Sequence, residues 1–337
     1  MIVLGIESSC DETGAGLVDM RGPTVLANVV ASQHSTHAMY GGVVPELASR
    51  EHLRNLGPVV REALDRAGLP IAAVDAIAVT RGPGLAGCLH LGLSAAKAMA
   101  MALDKPWVGV NHLEGHLLAA FLEHKGLAFP YLGLVVSGGH TSLVDVRGPS
   151  SRRRLESTLD DAAGEAFDKV AKLLDLGFPG GPALDGLAQT HAGAGVSFPK
   201  ARPKGGASGF SYSGLKTAVR THLEKLGRAG LEPDRASVAA GFRRAAVEPL
   251  VEKAVQEALR LGYGRVVAGG GVAANRLLRE RLRSACAEAG LEAVLCGPAL
   301  CADNGAMIAY AGGLRLMQGQ RSPWDLGIDP NLDECAA

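Results

Sequence analysis

The chain has 337 residues, more than one hydrophobic core usually organises, so two folded units are expected. Hydrophobic residues make up 47% and charged residues 20%, which excludes a disordered chain, and 34 basic against 34 acidic side chains give a net charge of +0, which excludes whole-molecule attraction to a polyanion. A nucleic-acid partner would have to be gripped by a local patch or with the help of another protein. The six cysteines contain no C-x-x-C pair, so a zinc ribbon, a redox motif and a disulfide framework are set aside. Glycine, at 45 residues, is about twice its usual share and points to backbone loops that approach ligands. The N-terminus has no basic segment before its apolar stretch, which Glu7 cuts short, so no secretory signal is expected. The richest apolar run, Leu89 to Leu103, is broken by Lys97 and falls short of the roughly 20 residues of a membrane span. The expected location is the cytoplasm.

Along the chain, IVLGIESSCDETGAGLVDM reads as two strands around a polar tip from Glu7 to Gly14. A helix is predicted over 44–67, interrupted near Pro58, then a short strand over 76–80. RGPGLAGCLHLG, from Arg81, is a glycine turn that opens a helix. NHLEGHLLAA puts His112 and His116 about 40° apart on one helix face, which suits two ligands of one metal and equally two histidines capping a polar surface. In zinc proteases with H-E-x-x-H the glutamate directly follows the first histidine, whereas Glu114 lies two residues on, about 200° round the helix, and should point away. LGLVVSGGHTSLVDV repeats the hairpin plan with its tip at Ser137 to Thr141, which indicates a duplicated fold. The glycines of VSGGHT let backbone N–H groups converge on a phosphate or carboxylate, and also fit an ordinary turn.

Helices are predicted over 162–174 and 236–261 and a strand over 265–268, and this alternation makes the chain α/β. LGFPGGPALD places Asp185 beyond a further glycine-rich turn, while Asp168 in GEAFDKV and Asp11 in the first tip read individually as surface or capping carboxylates. PKARPKGGASG, 199–209, is a loop carrying Lys200, Arg202 and Lys204; with Arg152 to Arg154 it supplies only small basic patches. RVVAGGGVAANRLL gives strand, triple glycine and helix, a seat for a ribose or phosphate, but its spacing is not that of a Rossmann dinucleotide site. In CADNGAM, Asp303 precedes a final helix over 304–318 as either its N-cap or a metal ligand.

Two hairpins with polar tips plus a glycine turn before a helix resemble the actin/sugar kinase/Hsp70 superfamily, a two-lobed α/β fold with duplicated ribonuclease H-like cores. The motifs GIESSCDET, SQHSTHAMYGGVVPELASREH, RGPGLAGCL, NHLEGHL, VSGGHT, GEAFDKVAKLL, FPGGPALD, FSYSGLKTA, GGGVAAN and CADNGAMIA span essentially the whole chain. Together they closely resemble the tRNA N6-adenosine threonylcarbamoyltransferases. Tyr212 stands where phenylalanine is commoner in that family, and His140 is similar to its bacterial branch. The resemblance implies one divalent metal, iron (Fe2+) or zinc (Zn2+), held by His112, His116 and Asp303 between the lobes and beside a nucleotide. It implies that Val135, Val136, Ser137, Gly138, Gly139, Asp168, Gly181, Asp185 and Asn275 contact ATP, ADP or threonylcarbamoyl-AMP. The expected lobes are 1–108, completed by a C-terminal helix at about 304–330, and 109–303, carrying the metal and nucleotide motifs.

The implied reaction moves a threonylcarbamoyl group from its adenylate to N6 of adenosine 37 in tRNAs reading ANN codons. The implied partners are tRNA, a paralogous TsaB-like dimerisation partner seated on apolar helices of the first lobe, and a small TsaE-like P-loop ATPase, with no membrane. Asp11 and Glu12 are the candidate proton acceptors, solvation of the hairpin tip being the alternative. A metalloprotease and a nucleotide-binding ATPase or regulatory scaffold are the competing functions.

Overall fold

The computed structural model describes residues 1–333 and Cys335, and the side chain of Lys204 lies outside the described residues. The chain forms two compact units, one of Met1–Phe129, Arg147–Arg152 and the segment from Cys296 onward, the other of Pro130–Val146 and Arg153–Leu295. In the first, β1 (Ile2–Glu7) and β2 (Glu12–Asp19) form the hairpin, with Glu7 opposite Gly14, and β3 (Thr24–Ser32) extends it. After α1 (His34–Ala38) and α2 (Pro45–Ala67), β4 (Ala76–Gly82), α3 (Ala86–Leu103) and β5 (Trp107–Asn111) complete a sheet ordered β3-β2-β1-β4-β5. β4 runs parallel to both β1 and β5. Strand β1 is buried from Val3 onward, as a strand covered on both faces must be.

Leu4, Ile6, Ala15 and Leu17 pack with Leu56, Val59 and Ala63 of α2 and Leu93 and Ala96 of α3. Helix α2 runs unbroken through Pro58, against the predicted interruption. Pro58 is exposed, and the apolar residues on either side of it hold the helix to the sheet despite the missing hydrogen bond. By length and composition alone α3, at 18 residues, is apolar enough to cross a membrane, but it stays under the roughly 20 expected of a span and in this fold Leu89, Leu93, Ala96 and Ala100 lie in the core.

Strand β5 leads directly into α4 (His112–Leu118). Because β5 is laddered to β4, the boundary expected after residue 108 would cut a strand, and the chain leaves the first unit only at Pro130. His112, His116 and Asp303 therefore all belong to the first unit, not to the 109–303 lobe.

The second unit repeats the plan. β6 (Tyr131–Val136) and β7 (Thr141–Gly148) form a hairpin, followed by β8 (Ser151–Ser157). Helices α5 (Ala163–Leu173), α6 (Gly180–Gln189), α7 (Ser213–Arg228) and α8 (Arg235–Leu261) precede β9 (Arg265–Gly269), α9 (Arg276–Glu288) and β10 (Glu292–Leu295). The sheet order β8-β7-β6-β9-β10 is the same as that of the first unit, with β9 parallel to β6 and β10.

The chain then returns to the first unit with α10 (Pro298–Cys301) and α11 (Gly305–Met317). Helix α11 lies on β1 and β2 backbone against backbone: a Cβ at Gly5 would come within 2.1 Å of the Gly305 carbonyl, and one at Gly16 within 2.2 Å of the Ala306 nitrogen.

Candidate metal and nucleotide sites

Asn111 closes β5 and caps α4 by accepting the Leu113 N–H at 3.0 Å, while its side-chain amide donates to the Asp333 carbonyl at 2.7 Å. The capped helix buries His112 and His116 edge to face, with ring centroids 4.7 Å apart. At the other segment Asn304 is the N-cap of α11, accepting from Met307 N–H at 2.9 Å, which leaves the carboxylate of Asp303 to the histidines. Asp303 Oδ1 is 3.1 Å from His116 Nε2 and 3.5 Å from His112 Nε2. Bonds of about 2.0–2.1 Å in tetrahedral geometry place ligand atoms roughly 3.3 Å apart, so this nitrogen, nitrogen, oxygen set fits a divalent cation.

Behind His112, Nδ1 is 3.0 Å from Glu7 Oε2 and 3.3 Å from Ser9 Oγ. Burial alone would lower the His112 pKa, but the carboxylates of Glu7 and Asp303 overcome it and push it up to about 9. Burial likewise opposes ionisation of Glu7, and His112 holds its pKa below the usual carboxylate range.

Glu114 points off the histidine face, as its helical phase predicts. Its buried carboxylate accepts from Arg315 Nε at 3.0 and 3.1 Å, Arg315 Nη2 at 2.5 Å and Arg152 Nη1 at 3.0 Å, clamping α4 to α11 and to the start of β8. Arg152, expected in a surface patch, is thus a core cation. Lys200 is 2.5 Å from Glu252 and 3.1 Å from Glu248, Arg202 also pairs with Glu252, and Arg153 is 3.5 Å from Asp145, so the small basic patches are largely compensated. Glu114→Gln should cost about 3–5 kcal/mol of stability by leaving two buried guanidinium groups short of charge, yet keep the activity per folded molecule. Denaturant unfolding beside a turnover assay checks this; a stable variant without turnover would restore a chemical role to Glu114.

At the first hairpin tip, His52 of α2 is 2.8 Å from Thr13 Oγ1 and 2.9 Å from the Cys10 carbonyl, fixing the loop that carries Asp11 and Glu12. His34 Nε2 lies 3.2 Å from Glu12 Oε1 and 3.8 Å from Asp11 Oδ2, and the three form a second group of metal-ligating type. Sequence reading missed His34, since nothing in SQHSTHAM ties it to the tip. Burial, with the charges of Asp303 and Asp11, raises the Glu12 pKa to about 7 against the hydrogen bond from His34.

In the second unit, Val135 and Val136 end β6 in the core, and Ser137 folds the tip by donating its N–H to the His140 carbonyl at 2.8 Å and accepting the His140 N–H on Oγ at 3.2 Å. The N–H groups of Gly164 and Glu165 at the start of α5 are taken by the carbonyls of Ser137 and Gly138. Side-chain positions at Gly138 and Gly139 face open space, with nothing within 4 Å. Asp168 Oδ1 accepts the N–H groups of Gly180 and Gly181 at 2.8 and 3.2 Å, which caps α6. Asp185 accepts from Arg243 at 2.8 Å and from Asn275 Nδ2 at 3.1 Å, while Asn275 Oδ1 caps α9 through Leu278 N–H. Gly270, at φ +96°, lets the triple-glycine turn close on Val136, whose carbonyl would lie 2.3 Å from a Cβ there.

Two units of one five-stranded order, each opening on a hairpin, define the actin/sugar kinase/Hsp70 class of α/β proteins. Among solved structures, HypF of T. kodakarensis is similar with TM-score 0.62 and 17% identity, over 94% of this chain and 48% of that one, so the chain spans about half of HypF. The activator of 2-hydroxyisocaproyl-CoA dehydratase from Clostridium difficile, with bound ADPNP, is similar with TM-score 0.55 and 14% identity, over 96% of this chain and 99% of that one. The family model described as TsaD, tRNA N6-adenosine threonylcarbamoyltransferase, matches residues 24–310, and the chain belongs to that family. Relatives of that name include one from Anaeromyxobacter sp. (strain Fw109-5), 53% identical over 98% of this chain and 99% of its own, and one from Sorangium cellulosum, 52% identical over 97% and 95%.

Proposed function

We propose that this chain transfers the threonylcarbamoyl group of threonylcarbamoyl-AMP to N6 of adenosine 37 in tRNAs reading ANN codons, with the metal-assisted chemistry in the first unit and the nucleotide held by the second. The convergence of His112, His116 and Asp303 in a chain of this family carries the reading. The donor is a mixed anhydride with AMP as a good leaving group, so the protein has mainly to align it and to stabilise charge while the amine attacks the carbamoyl carbon. A divalent ion, Fe2+ or Zn2+, would supply Lewis-acid polarisation of the carbonyl. Gly138 and Gly139 leave room for close approach of the phosphate to backbone, and the clusters around Asp168 with Gly181 and around Asp185 with Asn275 shape the seat for the nucleoside. Asp11 and Glu12 accept the proton released by the adenine amine, with His34 beside them to pass it on.

A base of this kind works only when ionised. The transfer rate should therefore rise with pH through the pKa of Glu12, which burial holds above the usual carboxylate range, and Glu12→Gln should flatten that limb; an unchanged pH profile in Glu12→Gln would remove Glu12 from the reaction. Gly138→Val should fold normally, because its side chain meets nothing, yet weaken AMP binding in calorimetry by tenfold or more, about 1.4 kcal/mol. Unchanged affinity would place the nucleotide elsewhere. Asn275→Ala is the poorer probe, since it also uncaps α9.

The deciding assay incubates the full chain with labelled threonylcarbamoyl-AMP and unmodified tRNA, alone and then with a TsaB-like partner and a TsaE-like ATPase, beside casein as a protease substrate. Label in tRNA with casein intact is expected, weakly from the chain alone because its net charge is +0 and Arg152, Arg153, Lys200 and Arg202 are each paired with acidic side chains. Casein cleavage without transfer, or nucleotide hydrolysis without tRNA modification, would overturn the proposal.

A further inference from the structure

We propose that Glu7 is a positioning residue for the metal site: its carboxylate keeps a proton on Nδ1 of His112, so that Nε2 alone is offered to the cation. The inference rests on His112, His116 and Asp303 being the ligands. Glu7, at the end of β1, is fully buried and surrounded by donors. Oε1 accepts the backbone N–H of Ser9 at 2.6 Å, and Oε2 accepts the hydroxyl of Thr80 on β4 at 2.6 Å and His112 Nδ1 at 3.0 Å. An ionised carboxylate only accepts, so the Nδ1 facing it must carry hydrogen. The lone pair of a singly protonated ring then sits on Nε2, the nitrogen 3.5 Å from Asp303 Oδ1. The two histidines differ here, because His116 Nδ1 is buried with no hydrogen-bond partner among the described residues. His112 alone is braced from behind, by an acid anchored to two strands. Such outer partners fix ring orientation and tautomer, and losing one typically weakens metal binding about 10- to 100-fold.

Glutamine at position 7 cannot reproduce this. If its oxygen faces His112, its NH2 opposes the Ser9 N–H; turned round, the NH2 faces Nδ1 and favours the tautomer with hydrogen on Nε2, which cannot ligate. The test uses the full chain stripped of metal, with zinc alone as the probe. Zinc affinity is measured by competition with a chromophoric chelator, and ring nitrogens are read from 15N-histidine spectra of the zinc-loaded protein. Glu7→Gln should bind zinc about 10- to 100-fold more weakly, Glu7→Asp should fall between, and wild-type His112 should show protonated Nδ1 with zinc on Nε2. If His112→Ala loses zinc while Glu7→Gln folds and binds it like wild type, the positioning role of Glu7 is overturned and the ligand assignment stands. If His112→Ala keeps zinc at wild-type affinity, the ligand assignment itself fails. Should Glu7→Gln not fold, the wild-type spectrum decides, and zinc or a bare lone pair on Nδ1 of His112 would refute the proposal.

Discussion

Replacing His112, His116 or Asp303 by alanine is expected to strip the bound metal and cut threonylcarbamoyl transfer by about three orders of magnitude, roughly 4 kcal/mol of barrier, while the chain stays folded. Two segments supply the donors, and neither half alone can close a three-ligand site. The three variants should differ in stability. His116→Ala removes a ring whose buried Nδ1 has no partner among the described residues, so part of its packing loss is offset, whereas His112→Ala leaves the buried Glu7 carboxylate one donor short. Elemental analysis and thermal melts of the three proteins read both effects. Near-stoichiometric metal in the double histidine variant would show that the ion is held by other groups.

The second large effect is structural and reaches the same site. Gly305→Val should destabilise the first unit by about 3 kcal/mol or more and lower its metal content, because the added Cβ would lie 2.2 Å from Gly16 N and 2.4 Å from the Ala15 carbonyl carbon. Those neighbours are backbone, so no side-chain rotation relieves the clash. The N-cap Asn304 and Asp303 immediately precede this contact, so a displaced α11 carries the proposed third ligand away. Gly186→Ala in α6 is the control: the position is exposed, nothing outside its own stretch of helix lies within 4 Å of the new methyl, and helix propensity should make the protein more stable by roughly 0.5–1 kcal/mol. Chemical denaturation compares the two, and a Gly305→Val variant as stable as wild type would mean that α11 is not seated through its glycines.

Features with a local physical cause were legible in the sequence. The hairpins show as apolar runs around polar tips, and helical phase alone put His112 and His116 together and turned Glu114 away. Asp303 stayed ambiguous because Asp and Asn both cap helices and stand side by side; only the hydrogen bond from Met307 N–H to Asn304 separates them. Features made by distant pairing were hidden. Glu7 meets Thr80 and His112 across 73 and 105 residues, and Arg202 meets Glu252 across 50, so neither the brace behind the proposed metal site nor the pairing of Arg202 left a local pattern. The unit boundary was misplaced for the same reason, since the ladder from β5 to β4 decides where Trp107–Asn111 belongs. Asp168, Asp185 and Asn275, which the resemblance implies for a nucleotide, each cap or brace a helix in the structure.

The glycine-lined seat of α11 also sets an order of events on the ribosome. Gly5 and Gly16 leave the tunnel long before Gly305, and at about 5–20 residues per second the interval is roughly 15–60 s. Through that time the nascent hairpin must wait with its inner strip uncovered, a natural target for a chaperone. Asp303 arrives with the same late segment, so, on the proposed ligand set, a prematurely terminated chain bears both histidines and lacks the third donor.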